Sequence, residues 1–234
     1  MIFDERPARA LAIFAHPDDP EVACAGTLAA WVAAGCEAHL VIANAGDKGR
    51  CDQTTKPQKL ARVRKAEAQE AADVLGLSSL EALSYPDGEL ENTNELRVRL
   101  IKLIRSIRPD AVIAPDPTAV YFGESYVNHH DHRALGWAVL DIIGSMAGGA
   151  LYVPEAGAPH QVTTLLLAGT LEPDTWVDIG ESLDKKLAAL RCHVSQLDGG
   201  DDVVADVVEA RAAEAGRAAG VRYAEGFRRL SFRS

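Results

Sequence analysis

The sequence predicts an α/β fold: a Rossmann-like three-layer αβα domain with a mostly parallel sheet and a small C-terminal addition. Three observations predict it. Short apolar runs recur at "LAIFA" (11–15), "HLVIAN" (39–44), "AVIAP" (111–115) and "TTLLLAG" (163–169), the form taken by strands buried on both faces. Segments of helical period separate them. The chain is 234 residues long, with 47% apolar and 25% charged residues, enough for one well-buried domain over 1–234.

The elements follow in order. After the first run, 21–34 is Ala-rich and helix-like, with Gly35 as a stop. After the second, Leu60, Val63, Ala71, Val74 and Leu75 mark a helix over 59–75 that Gly76 ends. "LEALSY" (80–85) reads as a strand. Leu96, Leu100, Leu103, Ile104 and Ile107 form one stripe, stopped by Pro109. A helix is expected from His132 to Ile143, another through Leu183, Leu187, Leu190, Val194 and Leu197, and another over 203–219. The tail "VRYAEGFRRLSF" fits either a last helix or an edge strand.

Charge and composition exclude several functions. The formal net charge of -10 repels phosphate backbones, which argues against a nucleic-acid partner. No stretch has the length of a membrane span, and the N-terminus lacks a signal-peptide core, so a cytoplasmic protein is expected. Cys24, Cys36, Cys51 and Cys192 are scattered without a C-x-x-C pair, which fits free thiols rather than a thiolate metal site.

In doubly wound sheets, ligands bind beyond the carboxyl ends of the strands. Polar residues collect there. His16, Asp18 and Asp19 follow "LAIFA", Gly46 and Asp47 follow "HLVIAN", Asp87 follows "LEALSY" and Asp116 follows "AVIAP". A long loop then ends in "NHHDH" (128–132). The first turn reads "AHPDDPE", not G-x-G-x-x-G, and "GDKG" is too short for a P-loop, so a dinucleotide or phosphate-loop site is excluded.

Imidazole and carboxylate are good zinc ligands, and a catalytic zinc site keeps one position open. His16 and Asp19 are three apart, as are His129 and His132. Asp19 also suits a helix cap, because Pro20 and Glu21 fit a helix start. The α/β pattern and the H-x-x-D spacing favour zinc, with ferrous iron able to use the same ligands.

"AHPDDPE" before a Gly-Thr-Leu-Ala helix, "RKAE" (64–67), "YPDGEL" (85–90) and "NHHDHRA" (128–134) together resemble the PIG-L/LmbE-like N-deacetylases, from Leu11 to about Leu197. The resemblance implies a zinc-dependent enzyme that hydrolyses an N-acetyl amide on an N-acetylglucosamine-type conjugate. It implies His16, Asp19 and His132 as zinc ligands and Asp18 as general base. His129 would stabilise the oxyanion or donate a proton, as an imidazolium in the former role, with Asp131 as its partner. Arg64 and Asp87 would bind substrate. Two departures stand out: His130 replaces the usual proline, and Val127 stands where some members have a tyrosine, with Tyr126 one position earlier. Members often assemble as trimers or hexamers. Cleavage of a larger thiol-sugar conjugate and simple binding of a sugar or nucleotide are the competing readings. The loop from Asp116 to Asn128 has the length of a lid, His39 and His160 look structural, and His193 in "CHVSQ" (192–196) has no assigned role.

Overall fold

The computed structural model describes residues 1–50, 54–197 and 201–232, so Cys51 lies outside the described residues. Its elements in chain order are β1 (Arg9–Phe14), α1 (Asp19–Ala23), α2 (Ala25–Ala33), β2 (Glu37–Asn44), α3 (Pro57–Leu75), β3 (Ser79–Tyr85), α4 (Asn94–Ile107) and β4 (Ala111–Pro115). A small hairpin, β5 (Tyr121–Phe122) and β6 (Tyr126–Val127), precedes α5 (His130–Asp141). Then come β7 (Thr164–Ala168), β8 (Thr175–Asp178), α6 (Leu183–Arg191), α7 (Asp201–Ala219) and β9 (Ala224–Ser231).

The main sheet has seven strands in the order β3-β2-β1-β4-β7-β9-β8. The pairs from β3 through β7 are parallel, and β9 lies antiparallel to both of its neighbours. In β1, Ala10, Ala12 and Phe14 pack into one hydrophobic layer with Leu28, Trp31, Leu187 and Val208. Leu11 and Ile13 pack into the opposite layer with Leu96, Leu100, Leu135 and Val139. Both faces of the central strand are therefore covered, which is why its sequence is continuously apolar.

Three expectations change. The tail forms β9, an inner strand that extends the main sheet, and not an edge strand or a helix. The stripe through Val194 and Leu197 does not continue as helix: α6 stops at Arg191, and Val194 is exposed. The hydrophobic spacing persists past the helix by coincidence. The helix expected over 21–34 is two helices, broken at Cys24.

A buried ion pair occupies that break. Lys186 Nζ donates to Val22 O at the end of α1 and to Glu225 Oε1 at 2.6 Å. The same carboxylate accepts from the Gly26 and Thr27 amides in the first turn of α2. The ammonium thus satisfies a carbonyl at one helix end and the carboxylate satisfies amides at the next, so neither end is left orphaned. On the opposite layer, α5 approaches β4 so closely that a Cβ on Gly136 would lie 2.6 Å from Pro115 O. Glycine there lets the middle of α5 meet the carboxyl end of β4.

Lys186→Met is expected to cost about 3–5 kcal/mol, because it leaves the Glu225 carboxylate buried without its counter-charge. Urea unfolding of this variant and of Lys186→Met/Glu225→Met checks it: the double variant should recover part of the loss.

Candidate metal centre

The loop after β1 and the start of α5 bring the two sequence motifs together. His16 Nδ1 lies 3.3 Å from Asp19 Oδ2 and 3.1 Å from His132 Nε2, and His132 Nε2 lies 3.1 Å from Asp19 Oδ1. The outer faces of both rings fix their protonation. His16 Nε2 lies 3.1 Å from Asp87 Oδ1 and 3.5 Å from Asp131 Oδ2, so it carries the hydrogen, because carboxylates only accept. His132 Nδ1 lies 3.1 Å from Asn128 Oδ1. The Asn128 amide nitrogen is committed to Ala119 O, so its oxygen is the acceptor and His132 Nδ1 carries the hydrogen.

Two imidazole lone pairs and a carboxylate therefore converge on one point. Without a positive charge between them this arrangement is repulsive. Three such donors with an open fourth position are what a catalytic zinc site requires. Carboxylate and amide groups behind ligating imidazoles also fix the tautomer and orient the ring. The donor set fits a divalent metal. His16, Asp87, His129 and Asp131 form a second set whose donor atoms lie within 4.8 Å of one another. In it the His16 Nε2 hydrogen is already engaged, so this set supports the first rather than forming a separate site.

The electrostatics agree. Burial alone would lower the pKa of His16, but Asp19, Asp131 and Asp87 outweigh it and push it up to about 12 in the metal-free chain. His132 is also raised, Asp19 outweighing its burial. Asp19 is held well below the usual carboxylate range, since His132 and His16 outweigh its burial. Burial opposes ionisation of Asp131, yet His16, Asn44 and the Gly88 and Leu90 amides hold its pKa down. His129 is lowered, by burial and then by the neighbouring His16 charge.

The remaining expected residues fall as follows. Asp18 stands at the N-cap position of α1 but caps no amide; its Oδ1 takes Arg64 Nη2 at 2.8 Å. Asp19 is the first residue of α1, and its Oδ2 accepts from the His16 amide, so the helix-cap reading of Asp19 does not hold. Arg64 is 3% exposed and also donates to Gly46 O, so its guanidinium faces the protein where a substrate contact was expected. Asp87 is likewise buried, against His16. Asp47 accepts from the Asp87 amide, and Asp116 closes its own turn on Thr118. His129 Nδ1 accepts from the Asp131 amide at 3.2 Å. His130 is exposed. His39 and His160 bond Ser79 Oγ and Pro109 O and serve the scaffold.

Sequence reasoning missed Asn44 and Asn128. Asn44 ends β2 and donates to Asp131 Oδ2. Asn128 sits four residues before His132, and that spacing beside a candidate ligand was the available signal.

Comparison with known proteins gives a consistent picture. The PIG-L family, described as GlcNAc-PI de-N-acetylase, matches residues 11–143. A diacetylchitobiose deacetylase of Thermococcus kodakarensis is 32% identical over 94% of this chain and 82% of its own. An N,N'-diacetylchitobiose deacetylase from Pyrococcus horikoshii, solved with its inhibitor MPG, superposes with a TM-score of 0.87 at 30% identity, covering 96% of this chain and 84% of that one. A 4-carboxy-2-hydroxymuconate hydratase from Pseudomonas putida KT2440 superposes with a TM-score of 0.79 at 23% identity over 97% of each chain, a likeness of fold alone. Among the described residues, no helix is long and apolar enough to cross a membrane.

The site generates a pH signature. The folded-state pKa of His16 lies above its ordinary 6.5, so its stabilising contribution is complete below pH 6.5 and is lost as pH rises towards 12. The folded-state pKa of Asp19 lies below its ordinary 3.8, so its contribution is present above that value and lost as pH falls through the lowered one. The urea midpoint of metal-free protein should therefore fall as pH is raised from about 6.5 to 9. Saturating zinc should abolish that fall by taking the proton's place. A metal-free midpoint that stays flat over this range would refute the arrangement.

Proposed function

The chain belongs to the PIG-L family of de-N-acetylases, and from that premise we propose that it is a zinc-dependent hydrolase removing acetyl from an N-acetylglucosamine-type sugar conjugate. One observation carries the reading: the lone pairs of His16 and His132 and the Asp19 carboxylate converge on a single point, with Asp18 beside them and free of that point. In this reading His16, Asp19 and His132 hold the metal, and ferrous iron would fit the same donors.

Bound there, zinc supplies Lewis acidity, polarising the acetyl carbonyl and lowering the pKa of water towards about 7. Asp18 takes the proton as water attacks. Arg64 engages Asp18 Oδ1, which leaves Oδ2 for that proton. His129 is a neutral donor rather than an imidazolium: its Nδ1 accepts from the Asp131 amide, so the hydrogen sits on Nε2. Its lowered pKa agrees. Nε2–H is then available to the developing oxyanion, and Asp18, having gained a proton, delivers it to the leaving amine. Asp131 holds the Asn44, Gly88 and Leu90 groups around His16 in place.

The relatives named as diacetylchitobiose deacetylases favour an N-acetylated sugar substrate. N,N'-diacetylchitobiose, N-acetylglucosamine and an N-acetylglucosamine–inositol conjugate, assayed for acetate with and without a chelator, test the proposal. Acetate release that stops on chelation and returns with zinc supports it. Chelator-insensitive release would refute the metal role, and release of a larger acid from a thiol-sugar conjugate would identify an amidase instead.

Asp18→Ala should keep the metal and lower kcat by about 100- to 10,000-fold. Asp19→Ala should lose the metal. Metal content and turnover of the two variants check the assignment, and the opposite pattern would exchange the two roles.

A further inference from the structure

The carboxylates of the candidate site ride on α1, a helix of only five residues with no side-chain cap. So short a helix cannot hold its own orientation; tertiary contacts must set it. One of these is a buried pair that the proposed reaction does not use. Glu21 Oε2 lies 3.1 Å from His193 Nε2, and both side chains are 1% exposed. Neither Glu21 oxygen nor either His193 nitrogen makes an aligned hydrogen bond to any group, so the two meet as a charge pair. Each is therefore the other's only charge partner at contact distance among the described residues. Glu21 lies two residues beyond Asp19 on the same helix.

His193 belongs to a turn that grips two more walls of the site. Ser195 donates from its amide and its hydroxyl to the two oxygens of Glu67, at 2.7 and 2.6 Å. Glu67 lies on α3, three residues beyond Arg64. Gln196 Oε1 accepts from the Arg50 amide at 2.9 Å, and its Nε2 donates to Arg50 O at 3.1 Å. Arg50 follows the loop whose Gly46 carbonyl receives Arg64. One turn after α6 thus touches the helix bearing Asp18 and Asp19, the helix bearing Arg64, and the loop between β2 and α3.

We propose that the turn His193–Gln196 is a clasp that positions the metal centre, with the Glu21–His193 pair holding α1 at the angle that keeps Asp19 on the metal and Asp18 beside it. This rests on His16, Asp19 and His132 as the metal ligands. A merely space-filling role would not need charge, since apolar replacements of buried ion pairs are commonly neutral or stabilising. A buried charge pair at this distance ties the short helix to the turn after α6. His193 and Glu21 are positioning residues, acting through Asp18 and Asp19 rather than on substrate.

The test uses the full chain loaded with cobalt, whose d–d absorption reports ligand geometry. His193→Gln and Glu21→Gln keep the volume and weaken the pair. Leu100→Ala, a core truncation in the opposite layer, serves as a destabilised control. Both clasp variants should change the cobalt spectrum and raise the cobalt dissociation constant about 10- to 100-fold, as loss of groups supporting metal ligands does. They should lower kcat with KM unchanged, while Leu100→Ala leaves the spectrum and the affinity as they were. If His193→Gln does not fold, Glu21→Gln alone decides. Clasp variants that lose thermal stability like Leu100→Ala but keep the native spectrum and affinity would overturn the proposal. A native chain that binds cobalt normally but releases no acetate, with altered spectra in the variants, would refute the deacetylase reading and leave the clasp standing.

Discussion

Everything in the site depends on how one imidazole is held. The His16 ring stands between two groups of opposite demand. Asp87 and Asp131 take the Nε2 hydrogen on one side, and the Nδ1 lone pair is thereby committed to the other. Were the tautomer reversed, Nδ1–H would point at Asp19 and His132, and the three-donor set would lose a member. Asp131 in turn is fixed by Asn44, Gly88 and Leu90, so the end of β2, the turn after β3 and the start of α5 all answer to the same carboxylate. The parallel strands supply these groups at one edge, and hydrogen bonding converts that shared edge into one orientation of one ring.

The cost of the arrangement is a concentration of negative charge on a chain already at -10. Asp18, Asp19, Asp87 and Asp131 crowd together, and each is compensated differently. Asp18 has Arg64, Asp19 has the histidines, Asp87 has His16, and Asp131 has backbone amides and Asn44. Only the point between His16, Asp19 and His132 lacks a fixed positive charge. Its three donors lie close enough together to hold a divalent cation. The buried guanidinium of Arg64 thus keeps Asp18 apart from the His16–Asp19–His132 cluster.

Much of this was legible in the sequence. Continuous apolar runs announced parallel strands, because both faces of β1 and β4 are covered. "AHPDDPE" and "NHHDH" announced the site, because imidazole and carboxylate at the same strand edge have few bland explanations. What stayed hidden depends on tertiary contacts. "TWVD" became β8 only by pairing with β9, and β9 is an inner strand only because β8 covers it. The break at Cys24 is set by Lys186 and Glu225, residues more than 150 positions away that no local pattern foretells. Arg64 and Asp87 carry the right chemistry, but burial decides whether such groups meet substrate or one another, and local sequence does not reveal burial. His193 was noticed without a role for the same reason: its partner Glu21 looks like a residue serving the helix dipole until both are seen to be buried together.

The adjacency of Asp18 and Asp19 follows from helix geometry. Successive residues at a helix start turn by about 100°, so two neighbouring carboxylates leave the backbone in divergent directions. At α1 one is aimed at His16 and His132 and the other at α3. A pair spaced three or four apart would lie on one face and compete for the same cation. The same geometry makes an exchange of roles unfavourable, since Asp18 could reach the histidines only by leaving Arg64 buried without its carboxylate, and Asp19 would have to give up the His16 amide. In the proposed reading, separation of the metal ligand from the proton carrier is therefore built into the direction of a single short helix, and whatever fixes that direction fixes both.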